Sequence, residues 1–278
     1  MADSDRGLMQ RRLQALWRFF LARFKHGQRY GLDFTLAFLG ILGAMWVFAV
    51  IVDAAVTEDH LNSIDAYMQQ VALRLQRDSL TEWVVFITDL GGTRGTVIGV
   101  IVVGIPLLLW RRWWSLFGLV FATAGGGLVV LGLKEFFARA RPVEQVVHAG
   151  GYAFPSGHAF AAMVFFGYLI YLGHRHLRLV ILRVVLTVIC CMMIFLIGAS
   201  RVYLNVHWVT DVAGGFLAGF AWLILSILIV RHVEWPQRYG LKRAKHKLVE
   251  SRRADEALAR SGSSSDDVSP PVSSEPLD

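Results

Sequence analysis

The chain has 278 residues, of which 55% are hydrophobic and only 18% are charged. A soluble domain of this size carries more charge and fewer apolar runs, so the composition excludes an ordinary soluble protein. The net charge of +7 does not indicate nucleic-acid binding, because the charges lie at the edges of the apolar runs. The adjacent Cys190 and Cys191 lie inside an apolar run, and we interpret them as small buried residues rather than as a disulfide or metal site.

The first segment, residues 1–32, contains seven Lys or Arg residues and no apolar core long enough for a signal peptide. Leucine, tryptophan and phenylalanine recur at helical spacing between Leu13 and Phe24, with arginines between them. We expect a basic amphipathic segment on the cytoplasmic side that lies on anionic membrane lipids.

Six apolar runs of about membrane-spanning length follow. They cover residues 33–53, 93–110, 113–133, 158–173, 179–199 and 212–230. The sequence therefore predicts an all-α, polytopic bundle of six transmembrane helices over residues 33–230, with an active site at the membrane interface. Gly215 and Gly219 in the last run predict close helix packing.

Two flanking segments complete the predicted organisation. Between the first two runs, one helical face is apolar and predicts an amphipathic helix along the outer interface; its residues are Ile64, Met68, Val71 and Leu75. Residues 231–278 are first basic and then, from about Glu250, rich in serine, proline and acids. Such a composition buries too little apolar area to order a chain, so we expect a disordered cytoplasmic tail.

The distribution of cations sets the predicted orientation. Seven Lys or Arg residues precede the first run, and nine lie between residues 231 and 260. Because cytoplasmic segments carry the excess of Lys and Arg, both ends of the chain are predicted to be cytoplasmic. Segments 54–92, 134–157 and 200–211 then face outward.

Three polar clusters lie at the predicted outward ends of the apolar runs. They read KEFFARARP from Lys134 to Pro142, PSGH from Pro155 to His158, and SRVYLNVHWVTD from Ser200 to Asp211. Because all three fall on one predicted side, a single site assembled from them is possible. We interpret Arg139, which matches no such pattern, as a loop or anchor cation.

Each cluster contains groups that suit an anion. The turn before the fourth run opens a helix, whose unpaired N–H groups favour negative charge. Gly157 permits close approach, Ser156 adds a hydroxyl donor, and His158 is placed to transfer a proton. His207 and Asp211 are four residues apart, and if residues 206 onward are helical the two side chains share one face, where the carboxylate can orient the imidazole as in catalytic triads. Lys134, Arg141 and Arg201 supply positive charge that suits phosphate oxygens.

Together the patterns Lys-x6-Arg-Pro, Pro-Ser-Gly-His and Ser-Arg-x5-His-x3-Asp resemble the type 2 phosphatidic acid phosphatase superfamily. The resemblance covers about residues 33–230 and implies a metal-independent phosphohydrolase without a cofactor. It implies that His207 is the nucleophile that forms a phosphohistidine, that Asp211 orients it, and that His158 protonates the leaving oxygen. The remaining phosphate-binding residues it implies are Lys134, Arg141, Ser156, Gly157 and Arg201. The sequence also lacks a carboxylate cluster for Mg²⁺.

A site at the outer interface suits an amphiphile whose phosphate lies at headgroup level. The resemblance implies a bacterial inner-membrane enzyme that acts on a lipid phosphate or diphosphate, such as undecaprenyl diphosphate, phosphatidic acid or phosphatidylglycerol phosphate, from the periplasmic or extracellular side. Two alternatives remain open: a non-hydrolytic protein that binds or transports lipid phosphates, and a phosphatase for soluble phosphates.

Overall fold

The structure is a computed structural model that describes residues 31–56 and 60–263. Within these ranges the chain forms helices joined by turns and loops, without a strand, which confirms the predicted all-α class. The helices are α1 (Leu32–Val56), α2 (His60–Leu75), α3 (Asp78–Gly91), α4 (Thr93–Leu109), α5 (Trp113–Phe137), α6 (Gly157–His176), α7 (Val180–Tyr203) and α8 (Val209–Ser263).

The described helices account for the predicted membrane spans. Helices α1, α5, α6, α7 and the part of α8 from Val209 to Glu234 are each long and apolar enough to cross a bilayer. Helices α3 and α4 meet this test only as a pair, and the pair bends by 57°. Counting the bent pair as one span gives six, which agrees with the predicted number.

Several helices extend beyond the apolar runs that predicted them. Lys134 lies in the last turn of α5 and Arg201 in the last turn of α7, although both were predicted to belong to outer loops. Hydropathy detects where side chains are apolar, whereas a helix ends where its backbone turns. Helix α5 ends at Ala138, which adopts a left-handed conformation with φ 46° and donates its N–H to the Lys134 carbonyl.

Helix α2 confirms the predicted amphipathic helix but does not simply lie along the outer interface. Its apolar residues Met68, Val71 and Leu75 border an apolar groove opposite Phe195 and Val202 of α7. The helix is thus packed against the bundle. Helix α2 is also attached through polar contacts, because Asp65 accepts hydrogen bonds from Thr210 and Arg139.

The core of the bundle is small, and many large apolar side chains face outward. Tyr168 of α6 is fully buried, whereas Trp46 and Leu128 are 71% and 73% exposed. Such exposure is expected of side chains that face lipid. Helices α6 and α8 approach closely at Gly215, where an added β-carbon would lie 2.6 Å from the Ser156 carbonyl oxygen. This confirms the close packing predicted from the glycine pair.

The chain divides into two units, Met1–Arg231 and His232–Asp278. The described part of the second unit is helical through Ser263, where a disordered tail was expected from about Glu250. Alanine, leucine, lysine, arginine and glutamate are frequent between residues 242 and 260, and their high helix propensity accounts for the difference. The rest of the predicted tail and nearly all of the basic segment 1–32 lie outside the described residues.

Candidate functional site

The three predicted clusters meet where the ends of four helices converge. Lys134 comes from the last turn of α5, Arg201 from the last turn of α7, and Asp211 from the first turn of α8. His158 is the second residue of α6. The loop after α5 adds Arg141, and the turn before α8 adds His207. All eight predicted site residues therefore lie at one end of the bundle.

The start of α6 is anchored to the start of α8. Ser156 caps α6 by accepting a hydrogen bond from the N–H of Ala159 at 3.5 Å, and its own N–H donates to the Asp211 carbonyl at 2.9 Å. A β-carbon added at Gly157 would lie 3.7 Å from Cε of Lys134. The first turn of α6 thus lies beside Lys134. The turn provides backbone N–H donors, and the lysine provides a positive charge.

The imidazole of His207 lies between the carboxylate of Asp211 and the guanidinium of Arg141. Its Nδ1 lies 3.4 Å from Oδ2 of Asp211, and its Nε2 lies 3.1 Å from Nη1 of Arg141. A guanidinium group only donates hydrogen bonds, so Nε2 must be the acceptor and the ring proton must sit on Nδ1, facing the carboxylate. The arrangement therefore presents the Nε2 lone pair toward the cations of the site.

The Asp211 carboxylate is 0% exposed, and each of its oxygens has a partner. Oδ2 accepts the backbone N–H of Trp208 at 2.9 Å in addition to facing His207. Oδ1 accepts Nη1 of Arg139 at 2.6 Å. These donors offset part of the free-energy cost of burying the carboxylate.

Two of the predicted phosphate-binding cations contact the loop between α5 and α6. Arg141 donates to the carbonyls of Gly151 at 2.9 Å and of Val206 at 2.7 Å. Lys134 donates to the Tyr152 carbonyl at 2.5 Å. These carbonyls hold the two cations beside each other and beside His207.

Arg201 is 5% exposed, and its Nη1 donates to Thr88 of α3 at 2.9 Å. Its Nε is buried and has no hydrogen-bond partner among the described residues. A buried guanidinium N–H without a partner costs free energy, which an anion bound at this position would recover.

His158 lies opposite the bend between α3 and α4. It is within electrostatic range of Arg201, His207, Arg141 and Lys134. A β-carbon added at Gly92 would lie only 3.2 Å from its Nε2. The absence of a side chain at the bend therefore leaves space next to the ring nitrogen that would transfer a proton.

The surroundings of His207 favour its neutral form. Burial, followed by the positive charge of Arg141, lowers the pKa of His207 well below its ordinary value of 6.5. Burial also lowers the pKa of Arg141, and the charge of Asp211 opposes that shift. At neutral pH the Nε2 of His207 is thus unprotonated.

Arg139 lies in the loop after α5, as one of its two interpretations stated, but its ion pairs were not predicted, and sequence reasoning did not identify Asp65 or Thr88. Arg139 forms ion pairs with Asp211 and with Asp65 of α2, and its guanidinium lies 5.7 Å from the centre of the Trp208 ring. One signal was present: Asp65 falls seven residues before Ala72 and three before Met68, so a carboxylate interrupts the apolar face of α2. No local pattern marked Thr88.

His, Cys, Asp and Glu, whose side chains can bind metal ions, all occur within residues 31–56 and 60–263. No group of three or more His, Cys, Asp or Glu side chains in that part of the chain is arranged to hold a metal ion. The cations described above are the positive charges at the site.

The lowered pKa of His207 predicts how stability changes with pH. Below about pH 6.5 the unfolded chain takes up a proton at this residue while the folded protein resists it, so stability falls as the pH decreases toward the folded pKa. Between pH 7 and 5, the melting temperature of the wild-type protein should fall more steeply than that of His207→Gln. His148 is an exposed histidine of the loop between α5 and α6, so His148→Gln serves as the control and should follow the wild type. Equal slopes for wild type and His207→Gln would contradict the burial argument.

Comparison with known proteins identifies the family. Residues 115–235 match the model of the PAP2 superfamily. The chain is 31% identical over 203 residues to phosphatidylglycerophosphatase B of Bacillus subtilis (strain 168), which covers 72% of this chain and 98% of that protein. Its fold is similar to the crystal structure of a transmembrane PAP2-type phosphatidylglycerolphosphate phosphatase from Bacillus subtilis, with a TM-score of 0.64 and 28% identity over 67% of this chain and 94% of that one.

A weaker likeness, with a TM-score of 0.47 and 23% identity, relates the chain to the crystal structure of Aquifex aeolicus LpxE over 58% of this chain and 93% of that one. The family match and the Bacillus subtilis relative agree with the bundle and with the three sequence motifs. The chain therefore belongs to the PAP2 superfamily and is an integral membrane lipid phosphatase.

Proposed function

We propose that this enzyme removes the terminal phosphate of a membrane lipid phosphate through a phosphohistidine on His207. The observation that carries the proposal is the tautomer of His207, whose Nδ1 proton faces Asp211 and whose Nε2 lone pair faces Arg141. Attack by Nε2 forms the nitrogen–phosphorus bond as the bond between phosphorus and the leaving oxygen breaks. Water then cleaves the nitrogen–phosphorus bond and releases phosphate.

The cations stabilise the charge on the transferring phosphoryl group. Arg141 contacts the nucleophile directly, Arg201 has a buried N–H without a partner among the described residues, and Lys134 lies beside Gly157 at the start of α6. Phosphoryl transfer depends mainly on positioning and on charge stabilisation of this kind. Ser156 belongs to the same helix start, where its hydroxyl can donate to a phosphate oxygen.

His158 is the proposed acid for the leaving oxygen. It lies next to the space left by Gly92 and belongs to α6, whereas His207 lies in the turn before α8, so the two histidines can flank one phosphorus atom. Protonation of the leaving oxygen matters most for an alkoxide and least for a leaving group that is already a weak base.

An apolar cavity supports a lipid substrate rather than a soluble phosphate. It has a volume of about 550 Å³ and extends between α4, α5 and α6 from the end where Lys134 and His158 lie. Its walls include Val97, Ile101 and Leu131, which are each more than half exposed. The cavity is thus open to the surroundings of the bundle, and a lipid tail can enter it sideways while its phosphate remains at the cations.

Among lipid phosphates, phosphatidylglycerol phosphate is the proposed substrate, because both Bacillus subtilis proteins to which this chain is similar are named as phosphatases of that lipid. Phosphate release from this lipid, from phosphatidic acid and from undecaprenyl diphosphate tests the choice. Fastest release from phosphatidylglycerol phosphate supports it, whereas preference for another of the three assigns that substrate instead. Binding of all three without phosphate release would favour the non-hydrolytic alternative.

The division of labour between the two histidines gives one prediction. His207→Ala should abolish the acid-labile phosphoenzyme as well as turnover. His158→Ala should slow phosphoenzyme formation from a lipid by roughly 10²–10⁴-fold, and by much less from an activated aryl phosphate, whose leaving group needs no proton. Acid- and base-quenched samples with ³²P-labelled lipid measure both rates. His148→Ala is the matched control and should keep wild-type activity; a phosphoenzyme on His207→Ala would overturn the assignment.

The cavity gives a second prediction, which compares two glycines of α5. Neither Gly127 nor Gly132 has an atom within 4 Å of an added β-carbon, but only Gly127 lines the cavity. Gly127→Leu should therefore raise the KM for a long-chain lipid phosphate by roughly 5- to 160-fold, the equivalent of the ~1–3 kcal/mol that overfilling an apolar site costs. Its kinetics with a short-chain soluble phosphate, and those of Gly132→Leu with either substrate, should stay close to wild type. Equal effects of both variants would exclude the cavity as the tail site.

The site is proposed to face the periplasm or the outside of the cell. The support is the excess of Lys and Arg in the two terminal segments, together with the location of all eight site residues at one end of the bundle. In intact cells, on a background without Cys190 and Cys191, a membrane-impermeant thiol reagent should label Gly150→Cys and not Arg178→Cys. Both positions are exposed, so the contrast reports sidedness. The reverse labelling pattern would refute this orientation.

A further inference from the structure

Asp65 is a buried carboxylate on a helix that carries none of the family motifs. It lies on α2, is 3% exposed, and its Oδ1 accepts the backbone N–H of Thr210 at 3.0 Å. Its Oδ2 accepts the Thr210 hydroxyl at 2.5 Å and Nη2 of Arg139 at 3.0 Å. Two of these three hydrogen bonds tie Asp65 to Thr210, the residue that precedes Asp211, and the third ties it to Arg139.

Arg139 connects this carboxylate to the nucleophile. Its Nη2 is bound to Asp65, while its Nη1 donates to Asp211 at 2.6 Å and to the Thr210 hydroxyl at 2.7 Å. A guanidinium is a rigid planar fork, so holding one end of it fixes the other. The guanidinium of Arg139 therefore binds Asp65 and Asp211 rather than a phosphate.

The consequence for Asp211 is a fixed orientation of its carboxylate. Oδ1 is bound by Arg139, which leaves Oδ2 to accept the N–H of Trp208 and to face Nδ1 of His207. Rotation of the carboxylate would break the ion pair with Arg139 and the bond to Trp208 together. The orientation of His207 thus depends on the guanidinium of Arg139, which is also bound by Asp65 of α2.

We propose that Asp65, acting through Arg139 and Thr210, is a positioning residue for the nucleophile His207. It does not touch the substrate; it holds Arg139 where Asp211 can orient the imidazole. The inference rests on the proposed function in so far as His207 is the attacking group. It assigns to α2 a part in catalysis that none of the three sequence motifs contains.

A purely structural role for Asp65 makes a different prediction. Helix α2 also lies against α7, and apolar side chains, among them Met68 and Val71, line the groove between the two helices. If Asp65 only adds to this attachment, its replacement lowers stability and affects the rate equally whether or not Asp211 is intact. If Asp65 acts through Asp211, the effect on the rate disappears once the carboxylate at position 211 is gone.

The test is a double-mutant cycle on the rate of phosphoenzyme formation, measured in single turnovers with full-length enzyme in excess over labelled lipid. Asp65→Asn should slow the reaction about 10-fold in the wild-type background, with the KM for the lipid within about 2-fold. In the Asp211→Asn background the same change should have no further effect. Asp78→Asn removes an exposed carboxylate from the neighbouring helix α3 and should leave the rate unchanged.

Two further variants allow the double-mutant cycle to be interpreted even if Asp65→Asn folds poorly or Asp211→Asn is too slow to measure. Thr210→Val removes the hydroxyl shared by Arg139 and Asp65 with little change in volume, so it should slow the reaction in the same way even if Asp65→Asn folds poorly. If the Asp211→Asn rate is too low to measure, Arg139→Lys replaces it, because a single ammonium cannot bridge both carboxylates. The loss caused by Asp65→Asn should then be smaller than in the wild type.

The outcomes separate this inference from the proposed function. Wild-type rates for Asp65→Asn and Thr210→Val, or equal losses in the presence and absence of Asp211, would overturn the positioning role while leaving His207 as the nucleophile. A wild-type enzyme that forms no phosphohistidine would instead overturn the proposed function. Selective loss of rate together with a retained melting temperature supports the inference.

Discussion

The fully buried carboxylate of Asp211 is the interaction on which the site depends. It is 0% exposed and meets three donors from two parts of the chain: Arg139 in the loop after α5, and His207 and Trp208 in the turn before α8. A buried charge is costly unless its hydrogen bonds are satisfied, so these partners are required by stability as well as by chemistry. The same bonds that permit the charge to be buried also fix the orientation of His207, whose Nε2 faces Arg141.

The membrane explains why the polar groups are concentrated at helix ends. Within lipid every backbone polar group must be satisfied inside its own helix, so irregular backbone and charged side chains are confined to the ends of the spans. Here the left-handed turn at Ala138, the capped start of α6 at Ser156 and the bend at Gly92 bring those ends together. The apolar faces of α4, α5 and α6 then leave a cavity that leads away from the cations. The cations at the helix ends thus suit the phosphate of an amphiphilic substrate, and the cavity suits its apolar tail.

Much of this arrangement follows from the sequence. Apolar runs predict the spans, and motifs that share one predicted side predict that Lys134, His158 and His207 meet. What the sequence does not show are contacts between distant segments whose members look ordinary in their own surroundings. Arg139 resembles an anchor cation and Asp65 a solvated residue of an amphipathic helix; only their distance of 3.0 Å reveals a pair. Helix ends are likewise missed, because hydropathy responds to side chains and not to the backbone turns that end α5 and α7.

The central claim is that these helix ends form a phosphoryl-transfer site with His207 as the nucleophile. Its most direct test is a structure of the enzyme with vanadate, which can adopt the five-coordinate geometry of a transferring phosphoryl group. The account predicts a bond between vanadium and Nε2 of His207, with Arg141, Arg201 and Lys134 around the equatorial oxygens and His158 next to the apical oxygen opposite His207. Vanadate bonded to His158, or bound away from both histidines, would contradict it.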